Sequence, residues 1–315
     1  MTEPKAQHYI PKFYLKGFAD KKGTLWVYEK FRPLRASKPK CEANRPDYYT
    51  HSETGQRDET AEDVLKDIES VAAPIIRKLA NPHYELTPDN AGRLYMFVAS
   101  MFARVPSWRE YVNDAAAEIA KRIQQQSAKE KEKFHGWCAE FERKTGRSLP
   151  VGYEELRQLV LKGDYTIEQQ SNAFSLGAMF KSAFTVANEL KSYGYEVMYA
   201  PEGKVFLTSD SPVFTVQPDR TGQANIGMGF GWLGVEVYFP LNKRACLRLR
   251  RGAEPSAIGI SENILQQVNN VVMATASRHL YSSEGYRRIA RLFDERGCKI
   301  RPGKQSFMTT PPSLR

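Results

Sequence analysis

Between residues 59 and 80 the apolar positions recur every three or four residues, at Val64, Ile68, Val71, Ile75 and Leu79. That period predicts an amphipathic helix, because 3.6 residues per turn place such positions on one stripe. Glu62, Lys66 and Glu69 fall on the opposite side, so both glutamates are expected to be solvated, with Lys66 between them. Thr87-Pro88-Asp89 predicts a second helix start, with Thr87 as cap and Pro88 in the first turn. Leu94, Phe97, Met101 and Val105 continue its buried face. From Asp114 to Lys144 the chain is highly charged, with only Ile119, Ile123, Phe134 and Phe141 as spaced apolar positions. So thin a stripe predicts a charged helical arm near 114–150. A further helix is expected over 166–192, where Ala173, Leu176, Gly177, Phe180 and Phe184 favour close packing.

A period of two marks the strands. TLWVYEK, residues 24–30, follows Lys22-Gly23 and reads as a strand after a turn. After Tyr195, YEVMYA and KVFLT flank Pro201-Glu202-Gly203 and predict a hairpin. VFTVQ, GVEVYF and RACLRLR are three more strands. Ser261 caps a last helix with Ile264, Val268, Val272 and Leu280 near one face. The class is therefore α+β: a central helical region packed on a C-terminal, mostly antiparallel sheet joined by an N-terminal strand. One domain over 1–300 with a disordered tail at 301–315 is the expected organisation.

Composition narrows the function classes. The chain has 315 residues, a net charge of +10 and no apolar run long enough to span a bilayer. Its first residues lack the apolar segment of a secretory signal, so a cytoplasmic location is expected. Residues 241–315 carry fourteen Lys/Arg against five Asp/Glu, an asymmetry suited to a polyanionic partner such as nucleic acid, or simply to a solvated surface. Cys41, Cys138, Cys246 and Cys298 form no CxxC and read as reduced, mostly buried thiols. The five histidines show neither HxxxH nor HExxH spacing, so any metal site must be assembled from distant segments.

The opening QHYIPKFYLKGF presents His8, Pro11, Tyr14, Leu15 and Phe18. It resembles the HYxPxFYLxxF start of a large, mainly bacterial family catalogued as a domain of unknown function (number 4238). LWVYEK (25–30), FLTSDSPV (206–213), FPLNKRACL (239–247) and NNVVMATASRHLYSS (269–283) are similar to its later segments, the last resembling a closing helix. The resemblance implies no activity. Members occur near mobile and defence-related genes, which implies an effector role.

Independently of the family, the aromatic residues of this opening predict an N-terminus anchored in the core. Pro11 holds Ile10 extended, which fixes His8 beside a rigid turn, either as a satisfied core histidine or as a general acid/base. Asp210, in Thr208-Ser209-Asp210-Ser211-Pro212, is a candidate base or metal ligand at a strand end, or else a turn residue accepting backbone N–H groups. Ser209 lacks a GxSxG elbow. Glu236 shares a strand face with Tyr238, and together with Asp210 would hold a divalent cation, the candidate cofactor. Arg244, Arg248 and Arg250 are placed on one strand face, where three guanidiniums repel one another unless anions lie between them. Arg287, Arg288, Arg291 and Lys299 add charge at the same end of the chain. Arg104, at the break made by Pro106, either clamps a carboxylate or phosphate or caps helix carbonyls. The glycines of GMGFGW do not open a helix, so no phosphate loop is read there.

Two functions follow. One is a nucleic-acid-acting hydrolase of defence or toxin type, a phosphodiester hydrolase with His8, Asp210 and Glu236 as catalytic groups and the arginines Arg104, Arg244, Arg248 and Arg250 on phosphates. The alternative is a non-catalytic nucleic-acid- or protein-binding module. A regulatory role for the helical arm is a more distant third. The enzyme reading requires His8 and Asp210 to converge.

Overall fold

The computed structural model describes residues 5–51, 58–167, 172–218 and 224–297. Lys299, Cys298 and the expected disordered tail therefore lie outside the described residues. The N-terminal elements are β1 (Ala6–His8), α1 (Lys12–Lys16), β2 (Leu25–Glu29), β3 (Arg35–Ser37) and β4 (Asn44–Pro46). Then come α2 (Thr60–Lys78), α3 (Pro88–Ala103), α4 (Pro106–Ala128), α5 (Lys131–Thr145), α6 (Tyr153–Lys162) and α7 (Ala173–Leu190). The strands β5 (Tyr193–Tyr199), β6 (Thr208–Ser209), β7 (Phe214–Pro218), β8 (Ala224–Ile226), β9 (Glu236–Asn242), β10 (Ala245–Arg251) and β11 (Ser256–Gly259) follow. The chain continues with α8 (Glu262–Thr275), β12 (His279–Ser282) and α9 (Arg287–Gly297).

The class is α+β, with mostly antiparallel sheets. Two compact units form: one runs up to Arg109 and resumes at Leu176, the other is residues 110–175. In the first unit a six-stranded sheet has the order β11-β5-β10-β9-β7-β8, and a four-stranded sheet the order β3-β2-β12-β6. A short ribbon pairs β1 with β4. Alternation along β5 and β10 directs Tyr193, Tyr195, Val197, Leu247 and Leu249 to one face of the larger sheet. The aromatic anchors of the opening meet that sheet: Tyr14 stacks on Phe239 at 5.1 Å, and Phe97 of α3 meets Phe239 edge-on at 6.0 Å. Tyr14 also donates to the Pro240 carbonyl at 2.7 Å, so the N-terminus is tied into the core. No helix among the described residues is long and apolar enough to cross a membrane.

In the second unit Ala128, Phe134, Cys138 and Val160 form a small core with Leu149, Tyr153 and Leu156 packed against it. Of the four apolar residues expected to contact from the charged arm only Phe134 is buried; Ile119, Ile123 and Phe141 are exposed. The arm is two helices, α4 and α5, so the four positions do not form one continuous stripe.

Several local expectations are revised. YEVMYA and KVFLT do not form a hairpin, because β5 pairs with β10 while Thr208–Ser209 joins β12 in the other sheet. The period-two pattern marked the strand but not its partner. In α2 the buried stripe is Leu65, Ala72, Ile75 and Ile76, and Val64 is exposed, a rotation of about one residue. Thr87 does cap α3, accepting from the Asn90 amide at 3.3 Å, and Ser261 caps α8. Leu280 belongs to β12 and not to the last helix, and Ile264 is exposed. The segment resembling a closing helix is thus helix and then strand. Cys138 and Cys246 are buried free thiols, whereas Cys41 is exposed.

Candidate active site

Sequence places His8 at the end of a three-residue strand, just before Pro11, whose φ of −58° leads into α1. The ribbon partner returns as β4, with His8 opposite Asn44. Between Glu42 and Asn44 sits Ala43, whose φ of +52° lies in the left-handed region. For alanine that conformation costs of order 1 kcal/mol. Its carbonyl receives the Tyr9 amide at 2.9 Å, so the strained turn is held by the strand that carries His8.

The main-chain oxygen of Glu42 lies 3.0 Å from His8 Nδ1. A carbonyl only accepts, so Nδ1 carries the proton in the neutral ring and Nε2 carries the lone pair. Nε2 has no hydrogen-bond partner among the described residues, and the ring is half-buried. Burial holds its pKa below the ordinary 6.5, opposed by the Glu42 carbonyl and the charge of Glu69 and assisted by the charge of Lys12. The ring is therefore a neutral base at pH 7 with its free nitrogen available.

Glu42 is itself fixed. Its carboxylate accepts a fork from Arg35 at 2.6 and 2.8 Å and the Ser37 hydroxyl at 2.5 Å. Glu69, on α2, was expected to be solvated; instead its Oε1 accepts from Arg104 Nη1 at 2.7 Å. Arg104 is 1% exposed, stands over the Phe97 ring, and donates through Nη2 to Met101 Sδ. It thus faces inward at the helix break and clamps a carboxylate of its own chain. Buried Gln7 adds a second tie to α2, donating to Glu62 at 2.8 Å and to Thr50 at 3.1 Å. Glu62 also meets Lys66 at 3.3 Å.

Asp210 sits in a different setting. Its carboxylate accepts the backbone amides of Ser277 (2.8 Å), Arg278 (2.8 Å) and His279 (3.0 Å), tying the end of β6 to the segment entering β12. That is turn chemistry, with three donors on one buried carboxylate. Among the described residues no hydrogen bond or ion pair joins His8 to Asp210. Beside Asp210, Tyr9 is pushed up mainly by burial and then by the Asp210 charge. The fully buried Tyr281 is raised mainly by burial, then by the neighbouring Tyr9 and by the Asp210 charge.

Glu236 and Arg248 come together on the face of the six-stranded sheet opposite Leu247 and Leu249. Arg248 Nη2 lies 2.5 Å from Glu196, which is 5% exposed, and Nη1 lies 3.9 Å from Glu236. Tyr238 donates to Glu236 at 2.6 Å. Glu236 lies in β9 of the six-stranded sheet whereas Asp210 follows β6 of the four-stranded one, and no group of three or more His, Cys, Asp or Glu able to hold a metal occurs among the described residues.

The three arginines expected on one face of β10 do not cluster. A bulge between Ala245 and Cys246 takes Arg244 out of the alternation. Its guanidinium donates to the carbonyls of Ala200, Pro201 and Lys204, each at 2.6 Å. Arg248 is neutralised by the glutamates, and Arg250 is exposed. No anion is needed between them.

Sequence reasoning singled out His8 and Arg104 but missed that Glu42 and Glu69 complete their surroundings. It is the Glu42 main chain that hydrogen-bonds the ring, and a carbonyl leaves no trace in residue identity.

The family model described as a protein of unknown function, DUF4238, matches residues 6–285 of the chain. No curated protein and no solved structure matches the chain.

Proposed function

Since the chain belongs to the DUF4238 family, whose description assigns no activity, we propose from the site itself that it is a phosphodiester hydrolase acting on nucleic acid, with His8 as general base. The observation that supports this is the neutral ring of His8, with Nδ1 held by Glu42 and Nε2 free. A base held in one tautomer, with its lone pair uncommitted, is suited to accept a proton from an attacking hydroxyl. In RNA the adjacent 2′-hydroxyl is such a nucleophile. Nε2 takes its proton, the oxygen attacks phosphorus, and the bond to the 5′-oxygen breaks, that oxygen being protonated from solvent; water then opens the resulting 2′,3′-cyclic phosphate, and the imidazolium returns its proton to the departing 2′-oxygen. Glu69, held by Arg104, favours the imidazolium that forms. Lys12, an exposed cation whose charge acts on the same ring, is the phosphate contact in this reading.

Asp210 enters this reading as the residue that fixes β12, not as the base. Glu236 enters as a partner of Arg248. The alternative, a non-catalytic binding module, is favoured by those same satisfied groups.

Incubation of the purified protein with labelled RNA and DNA, with and without Mg²⁺ or Mn²⁺, separates the two. Cleavage that His8→Ala abolishes while binding persists supports the hydrolase. Salt-sensitive binding without cleavage under any condition supports the module. A defence or toxin role, which the resemblance implies, predicts that induced expression arrests growth and that His8→Ala relieves the arrest.

A further inference from the structure

A second feature of the same unit breaks two local rules at once. Phe31, in the turn after β2, has a φ of +61° and is 67% exposed. A bulky side chain in the left-handed region is a genuine outlier, and an exposed phenyl adds an unfavourable hydration term. Such a departure from local preference marks a place where function overrides stability.

The surrounding contacts hold this turn firmly. The Phe31 amide donates to Asp294 Oδ1 of α9 at 2.9 Å. Lys30 before it donates to the carbonyls of Ala276 and Ser277 and stands over the Phe293 ring at 5.3 Å. The Arg32 amide after it closes back on the Glu29 carbonyl at 3.0 Å. The backbone of Phe31 is thus fixed, and its ring is presented to solvent beside α9.

Along α9, Ile289 and Phe293 turn inward, while Arg287, Arg288 and Arg291 share the exposed face. Arginines three and four residues apart on one helix face repel each other. None of these three guanidiniums, nor that of exposed Arg32, forms a hydrogen bond or ion pair with a described residue. This contrasts with Arg35, Arg104, Arg244, Arg248 and Arg251, all of which are paired. Tyr286, 54% exposed, ends the patch at the start of α9, with Glu284 beside it; Glu295 lies at the other end.

We propose that this face, formed by Phe31, Arg32, Tyr286, Arg287, Arg288 and Arg291, binds single-stranded nucleic acid. The guanidiniums take phosphates and the exposed ring of Phe31, carried on a fixed backbone, stacks on an unpaired base. Charge complementarity selects a polyanion, and the exposed aromatic selects one whose bases are open to stacking. A duplex hides those base faces within its own stack. The inference deepens the nucleic-acid reading by naming its strand-binding surface, and it needs no part of the His8 chemistry.

The test is fluorescence anisotropy with the full chain, a labelled oligouridylate, a labelled oligothymidylate, a duplex and, as competitor, vesicles of anionic lipid. Single strands are expected to bind in preference to the duplex. Arg287→Glu combined with Arg291→Glu is expected to weaken binding by about tenfold or more, and to make the salt dependence shallower by about one unit of log–log slope or more. Phe31→Gly is the discriminating variant, because glycine relieves the left-handed backbone. It is expected to raise the melting temperature by about 2–4 °C while weakening single-strand binding about tenfold. A purely structural Phe31 would not move stability and binding in opposite directions.

Unchanged single-strand affinity in both variants, no binding to any nucleic acid, equal affinity for duplex, or preference for the vesicles each overturns the proposal. Cleavage that survives with binding insensitive to these variants sinks the surface and leaves the hydrolase. Strand binding through this face without cleavage does the reverse.

Discussion

Arg104 and Glu69 form an ion pair at 2.7 Å whose arginine side chain is wholly buried while the glutamate side chain is 23% exposed. One charge is thus fixed in the interior, and the other stands where it can act on His8. Removing Glu69 leaves a buried guanidinium uncompensated, whereas removing Arg104 leaves a carboxylate that water can still reach. Glu69→Ala is therefore expected to destabilise the fold by about 3 kcal/mol or more. Arg104→Met, which keeps the side-chain volume apolar, is expected to cost less. Urea denaturation of both variants and of the double variant measures the asymmetry, and equal losses would contradict it.

The histidine makes a pH prediction. Burial lowers the folded-state pKa of His8 below 6.5, so protonation favours the unfolded chain. The contribution of His8 to stability is complete above about pH 6.5 and is lost as pH falls from there toward the lower folded value. NMR titration of the ring is expected to show the proton on Nδ1 at pH 7 and a midpoint below 6.5. A midpoint above 6.5, or a proton on Nε2, removes the general base. His8→Gln is expected to reduce the acid sensitivity of folding.

Asp210 provides a separation of roles. Its carboxylate accepts three amides, and an amide side chain would turn an N–H toward some of those donors. Asp210→Asn is expected to cost about 2 kcal/mol in thermal or chemical unfolding. Any cleavage activity per folded molecule is expected to persist. Loss of activity with unchanged stability would instead make Asp210 a catalytic group.

Gly194 offers a purely steric check on the larger sheet. A Cβ there would stand 1.6 Å from the Ala253 carbonyl oxygen, where the chain crosses β5. Main chain cannot step aside as a flexible side chain does. Gly194→Ala is expected to abolish soluble folded protein or lower its melting temperature by about 10 °C, well beyond the roughly 2–4 °C that each kcal/mol produces in a domain of this size. Circular dichroism melts decide it; a wild-type melt would mean that Ala253 is placed differently.

Much of the architecture is written locally. Thr87-Pro88 and Ser261 start helices because their hydroxyls can satisfy orphan amides within three residues. The strand core of RACLRLR is visible because alternation separates Leu247 and Leu249 from Arg248 and Arg250. Tyr14 and Phe18 announce an anchored N-terminus, since rings of that size must be buried somewhere. Pairing was not legible in the same way. Thr208 and Ser209 look like a hairpin return but join β12, because what they bond with lies more than seventy residues away.

The sequence by itself determined the α+β class and the starts of α2, α3 and α8, since each depends on groups close together along the chain. Only the tertiary structure decided that Glu42 fixes the histidine tautomer, that Arg104 holds Glu69, and that Arg244 and Arg248 are already occupied. It also left Arg287, Arg288 and Arg291 of α9 without a hydrogen bond or ion pair among the described residues. The physical reason is that charge, hydrogen bonding and burial depend on distance in space, and a side chain's type does not say which distant backbone or carboxylate will stand three ångströms away.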